Sequence, residues 1–240
     1  MEAGAGQGRV DARLVEIQVA DDPAAWTAAG FAVDGDRVAI GTVAIRLTGA
    51  PSGSRRRGMT GWTVSGLTIA DGSLDGLATS GRTDASTDRI DDPPGSRTPH
   101  PNGVVGLDHV VVLTPDLERT IEAIEAAGLD LRRVRETSSN GSPMRQAFFK
   151  LGPVVLEVVS GDVGSGAPAA EEPATFFGLA VDAEDLEVTA AALGEGLGRI
   201  KPAVQAGRRI ATIRTKGYGI SVAIAAMDRH GDRTTPDDGR

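Results

Sequence analysis

The sequence predicts an α+β chain built by repeating one unit: a strand, a helix and three further strands. Three observations predict it. The order β-α-β-β-β reads at full length across residues 107–160, and the pattern recurs across 176–225 and, shortened, across 14–48. The helices of the two long copies agree in sequence, Asp116-Leu117-Glu118 and Thr120 against Asp185-Leu186-Glu187 and Thr189, with the stripe Leu117/Ile121/Ile124 over Leu186/Ala190/Leu193. Elements recurring in one order at one offset mark a duplicated supersecondary unit. Finally, the strand-like runs are apolar on both faces, as strands covered on both sides must be.

The first copy opens with a strand from Leu14 to Val19. A short helix follows from Pro23 to Ala29, with Asp22 as N-cap, Pro23 at the first helical position and Gly30 as its stop. Asp34-Gly35-Asp36 offers a hairpin turn between strands ending at Thr48, and Gly61–Leu67 reads as one further strand. In the second copy, strand 107–113 runs into Thr114 as N-cap and Pro115 at the first helical position. Gly128 ends that helix, and Leu129–Glu136, Arg145–Leu151 and Pro153–Ser160 complete the unit. The third copy has strand Phe176–Val181, Asp182 as cap, the Leu186 stripe, and strands Arg208–Arg214 and Ile220–Ala225. Residues 1–77 therefore read as an abbreviated unit and 78–103 as a disordered linker rich in Ser, Asp and Pro, with His100 exposed. Residues 104–227 read as a two-unit domain and 228–240, with His230, as a disordered tail.

Composition narrows the function. The chain has 240 residues, enough for one or two cores, and a net charge of −8. An acidic chain lacks the basic footprint of a nucleic-acid binder, and Arg55-Arg56-Arg57 sits in a Pro/Gly/Ser loop that reads as solvated. Aromatic residues at 3% leave no stacking platform for single strands. Zero cysteines exclude disulfides and thiolate chemistry. The N-terminus lacks a basic, then apolar, targeting pattern, and no apolar run approaches the roughly 20 residues of a membrane span. A soluble cytoplasmic protein, with neither a nucleic-acid nor a membrane partner, is the expectation.

Two residues stand out. His109 interrupts Leu107–Leu113 and Glu157 interrupts Pro153–Val159. An ionisable group in a β-branched run needs a partner, because burying it alone costs several kcal/mol or shifts its pKa until it neutralises. Strand alternation puts His109 with Leu107, Val111 and Leu113, and Glu157 with Val155 and Val159, leaving Val110/Val112 and Val154/Leu156/Val158 to cover the Leu117 stripe. A metal ion or a direct His109–Glu157 hydrogen bond would each satisfy them.

Gly106-Leu107-Asp108-His109-Val110-Val111-Val112, Pro115-Asp116-Leu117-Glu118 and Leu151-Gly152-Pro153-Val154-Val155-Leu156-Glu157 together resemble the vicinal oxygen chelate superfamily of glyoxalases, extradiol dioxygenases and bleomycin-resistance-type proteins. The resemblance covers 104–227. It implies paired βαβββ modules forming a cupped mixed sheet, helices on the outer face, and metal ligands from first and last strands. On that pattern His109 and Glu157 are metal ligands for zinc, nickel, iron or manganese, with Glu157 and Glu16 as candidate catalytic groups in a glyoxalase-type lyase or isomerase. The position matching His109 in the third copy is Gly178, and the one matching Glu157 falls at Val222–Ile224, without a carboxylate. In the N-terminal copy Glu16 and Arg46 take those places, an acid and a base placed to pair. The alternative that the resemblance implies is a non-catalytic, drug-sequestering binder. Its cup would be lined by Phe148 or Phe149 and Phe176 or Phe177, with Arg145, Gln146, Arg208 and Arg209 meeting an anionic ligand at the rim. An odd number of modules would leave one half-cup free for a homodimer contact.

Overall fold

A computed structural model describes residues 11–49, 58–82, 100–139, 141–161 and 171–229. They form two mixed sheets. The N-terminal sheet comprises β1 (Arg13–Val19), β2 (Arg37–Ile40), β3 (Val43–Leu47), β4 (Met59–Ser65), β5 (Ser73–Leu74) and β6 (Leu77–Arg82), with α1 (Pro23–Ala28) between β1 and β2. Its spatial order is β2-β3-β1-β4-β6-β5. The C-terminal sheet holds β7 (Val104–Leu113), β8 (Leu131–Ser139), β9 (Ser142–Leu151) and β10 (Val154–Gly161), with α2 (Leu117–Ala126) after β7. It continues with β11 (Thr175–Ala183), α3 (Leu186–Leu193), β12 (Lys201–Pro202), β13 (Arg209–Ile213) and β14 (Ala223–Asp228). The order there is β12-β13-β14-β11-β7-β10-β9-β8.

Both sheets obey one rule. Each unit's first strand lies parallel to its own last strand, β7 to β10 and β11 to β14, and two units join through antiparallel first strands. The same rule runs through the N-terminal sheet, where β1 is parallel to β3, antiparallel to β4, and β4 is parallel to β6. Strands β4, β5 and β6 are thus a fourth unit, stripped of its helix and of one strand. The sequence reading found three units because the helix stripe, its strongest signal, is missing here. With four units no half-cup is left over, so the argument for dimerisation from an odd number loses its premise.

The core follows from strand alternation. Val110 and Val112 of β7, Leu156 and Val158 of β10, and Phe149 of β9 are buried with Leu117 and Ile124 of α2. Thr120, also buried, completes that helix face where Ile121 was expected, since Ile121 is only half-buried. Two caps move. Asp116 and Asp185, rather than Thr114 and Asp182, accept the first-turn N–H bonds of α2 and α3, while Asp22 caps α1 as expected. Thr114 instead accepts from the Asp116 N–H at 3.1 Å, bracing the turn before the helix.

The expected linker is shorter than 78–103. Residues 78–82 lie in β6, and the turn at 100–103 is part of the core boundary; 83–99 are outside the described residues. His100 is buried at 7% exposure rather than solvated, because its Nδ1 accepts from the Ala32 N–H at 3.0 Å and its ring packs on Phe31. Burial holds its pKa below the ordinary value, partly offset by a backbone hydrogen bond. Asn102 donates to the Ala29 carbonyl at 2.9 Å and ties the same corner. Asp228, assigned to the tail by sequence, is a buried strand residue. His230, the leader 1–9 and Arg55–Arg57 lie outside the described residues. Across the two sheets, the Asp75 carboxylate accepts from Arg119 Nε at 2.8 Å and from Thr120 Oγ1, and Trp62 meets Phe176 edge-on at 5.2 Å. No helix of the described residues is long and apolar enough to cross a membrane.

Candidate functional site

His109 lies on the concave face of the C-terminal sheet, as alternation against Val110 requires. Next to it the strand is irregular. His109 opposes Ala180 and Leu107 opposes Val181, so Asp108 is an extra residue in β7. A bulge re-aims side chains that strict alternation would send to opposite faces. Here it brings Asp108 Oδ2 to 2.6 Å from His109 Nδ1. The other Asp108 oxygen accepts from Arg208 at 2.6 Å, and Arg208 also reaches Asp182 at 2.7 Å and the Asp228 carbonyl at 2.6 Å. Burial opposes ionisation of Asp108, but the bonds from His109 and Arg208 outweigh it and hold its pKa down at about 2. A carboxylate on Nδ1 fixes ring orientation and leaves Nε2 facing the cup.

His109 Nε2 lies 3.4 Å from Glu157 Oε2. Gln146, on the next strand, donates to the other Glu157 oxygen, and Arg135 Nε donates to Gln146 Oε1 at 2.8 Å. The result is a polar chain across four neighbouring strands, Asp108–His109–Glu157–Gln146–Arg135. Burial raises the Glu157 pKa, and Asp108 adds to that, while His109 and the Arg135 and Arg133 cations partly offset it. Phe148 stands directly across from both Glu157 and Arg133, whose guanidinium carbon is 4.6 Å from the ring centroid. These residues line a cavity of about 510 Å³, closed from the other unit by Lys201, Pro202, Ala203, Val204, Gln205, Ile210 and Met227. That volume suits a small ligand.

Of the site residues named from sequence, the structure gathers His109, Glu157 and Gln146. It separates the rest. Arg145 has the parity of Ala147 and Phe149 and points to the helix side, where it pairs with Glu118 of α2 at 2.6 Å. Arg209 does the same in the next unit, meeting Glu187 of α3 at 2.8 Å and Asp228 at 2.7 Å. The two arginines are matched, as the sequence suggested, but as struts between sheet and helix rather than rim contacts. Arg208 is buried behind His109. Glu16 and Arg46 do not pair with each other: Glu16 meets Arg37 at 3.3 Å, and Arg46 meets Asp36 at 3.4 Å. Glu16 lies in the N-terminal sheet and is not among the residues lining the cup. Phe149 is core, and Phe176 packs on Trp62, so Phe148 is the aromatic of the cup. Arg133, Arg135 and Lys201 were missed. The alternation Arg133-x-Arg135 was the available signal for the first two.

The donor set does not suit a metal ion held by protein alone. Register exchange between β7 and β11, His109 with Ala180 and Val111 with Gly178, confirms Gly178 as the counterpart of His109. Following the ladder onward, Glu157 pairs with Val111 and Ala225 with Ala180, so the counterpart of Glu157 is Ala225, one position past the expected range. Gln146 corresponds to Ile210 by the same ladder. A Cβ on Gly178 would stand 2.7 Å from the Ala223 carbonyl oxygen, so no histidine fits there without moving the strand. Catalytic transition-metal sites usually take about three protein ligands. One half of the cup offers His109 and Glu157, the other offers none, and no group of three His, Asp or Glu able to hold an ion occurs among the described residues.

No family model and no curated protein matches the sequence. Solved structures match the fold. A triple mutant of 4-hydroxymandelate synthase from Streptomyces coelicolor superposes with TM-score 0.61 at 13% identity, over 92% of this chain and 93% of that one. An extradiol ring-cleaving dioxygenase from B. fuscum gives 0.54 at 11% identity, over 100% and 78%. A catechol 2,3-dioxygenase gives 0.52 at 13% identity, over 95% and 94%. The chain has the vicinal oxygen chelate fold. The similarity spans both sheets, as four paired units would require.

Proposed function

We propose that this protein binds a small molecule in the cup of its C-terminal sheet, with the ligand's polar end on His109, Glu157 and Gln146 and with no metal ion of its own. One observation carries the reading. The polar residues form a continuous chain of hydrogen bonds and one 3.4 Å His109–Glu157 contact on one half of a roughly 510 Å³ cavity, while their counterparts on the other half are Gly178, Ala225 and Ile210. His109, oriented by Asp108, offers one ring nitrogen to the ligand. Glu157, whose burial favours the protonated form, serves as donor or acceptor. The drug-sequestering type of binder fits this arrangement better than a lyase or isomerase built around a chelated ion.

Metal analysis of the purified protein beside His109→Ala, followed by a thermal-shift screen of small molecules in chelator, tests it. Substoichiometric metal in both proteins and ligand-induced stabilisation that survives chelator are the expected results. Stoichiometric zinc, nickel, iron or manganese that disappears in His109→Ala would overturn the reading and restore metal-assisted chemistry.

A further inference from the structure

We propose that the ligand of the cup is an organic oxyanion, a small carboxylate or phosphate ester, captured at the mouth by Arg133, Arg135 and Lys201. The inference rests on the cup being a binding site and adds the chemical class of what enters it. Strands β8 and β12 are the two opposite edges of the eight-stranded sheet, yet Arg133 and Arg135 from one edge and Lys201 from the other line the same cavity. The sheet curls until its edges face each other, and both edges bring cations. Three positive groups against the single carboxyl group of Glu157 leave the lining net positive, in a chain whose net charge is −8. A cavity of one sign inside a molecule of the other focuses anions into it.

The neighbouring cations are neutralised by carboxylates, and these are not. Arg119, Arg145, Arg208 and Arg209 all have carboxylate partners between 2.6 and 2.8 Å. Among the described residues, Arg133, Arg135 and Lys201 have no carboxylate in ion-pair range. Nor are the two arginines loose strand-end charges. The Arg133 guanidinium stacks 4.6 Å from the Phe148 centroid, Arg135 lies 5.7 Å from it, and Arg135 Nε is tied to Gln146. Stacked, planar guanidinium groups are pre-organised for the paired oxygens of a carboxylate or phosphate. Deeper in, Glu157 and His109 suit a neutral hydroxyl or carbonyl better than a second anion. The ligand is therefore charged at the mouth and polar but uncharged at the floor.

The test uses the full ¹⁵N-labelled chain titrated with phenylacetate, phenyl phosphate and uncharged phenylacetamide, following the amides of His109, Phe148 and Met227. At least one anion should move these signals and bind about tenfold or more tighter than phenylacetamide. Arg133→Ala and Lys201→Ala should each weaken the anion by about tenfold at low salt, while leaving the spectrum elsewhere unchanged, and added salt should weaken it in the wild type. The better of phenylacetate and phenyl phosphate assigns carboxylate or phosphate, and either supports the proposal. If phenylacetamide binds as tightly as phenylacetate and the two variants change nothing, the cup binds small molecules but the oxyanion class is wrong. If none of the three probes moves those amides, while neutral ligands from the thermal-shift screen do, the oxyanion proposal alone falls. If nothing from either set does, the binding role falls with it.

Discussion

Replacing Arg208 with methionine should cost about 3–5 kcal/mol of stability at neutral pH, the usual consequence of removing one partner from a buried ion pair. The side chain is 3% exposed and serves two carboxylates at once, Asp108 at 2.6 Å and Asp182 at 2.7 Å. Part of that cost is visible in pH. The Asp108 pKa falls from 3.8 to about 2 on folding, through His109 and Arg208 working against burial. A depressed carboxylate stabilises the fold above its unfolded pKa, and that contribution disappears as pH drops through the folded value. The window is therefore about pH 4 down to about pH 2, and the amount about 2 kcal/mol, at about 1.4 kcal/mol per pKa unit. Urea denaturation of wild type, Arg208→Met and Asp108→Asn at steps between pH 2 and 7 reads both quantities. The acid-side decline should shrink in Arg208→Met and be smallest in Asp108→Asn. A variant within 1 kcal/mol of wild type at pH 7, with an unchanged slope between pH 4 and 2, would refute the reasoning that this arginine holds the two strands' carboxylates in place.

Three more outcomes follow from the same geometry. Burial raises the Glu157 pKa, so its ionisation costs stability as pH climbs above the usual value of 4.5. Glu157→Gln should then gain on wild type between pH 4 and pH 8 in urea melts, and a variant that loses ground over that range would contradict the assignment. Gly178→Ala should cost about 1–3 kcal/mol, since its Cβ would meet the Ala223 carbonyl oxygen at 2.7 Å; an unchanged thermal midpoint would show that the β11–β14 contact is slack. Asp75→Ala should lower the thermal midpoint and raise amide exchange at Thr120 and Arg119, because the carboxylate is the shared acceptor for both across the two sheets.

How much was legible in the chain depends on whether a signal was local. Helix caps, stripes and β-branched runs lie within a few residues of one another, so the complete central unit, its C-terminal copy and the His109/Glu157 pair could be read directly. The fourth unit could not, because β4–β6 keep strands but lack the helix that gave the other copies their recognisable pattern. Arg145 and Arg209 were rightly paired by repeat position. Only strand parity in the assembled sheet sends them to Glu118 and Glu187, away from the cup. His100 looked like a linker residue by composition, but its burial depends on Ala32 and Phe31, some 68 residues upstream.

By itself the sequence determined the repeated unit, the faces of its strands, the two ionisable residues placed in apolar runs, and the missing counterparts at Gly178 and, within one residue, at Val222–Ile224. Each is a matter of periodicity or residue type, which local sterics and the hydrophobic effect enforce wherever the strand ends up. The tertiary structure decided what those residues do. A one-residue bulge turned Asp108 into the partner of His109, and the β9 ladder brought Gln146 to Glu157. The curl of an eight-stranded sheet set cations from its two far edges around one cavity. Those are register and curvature effects, summed over strands distant in the chain, and no short stretch of sequence encodes them.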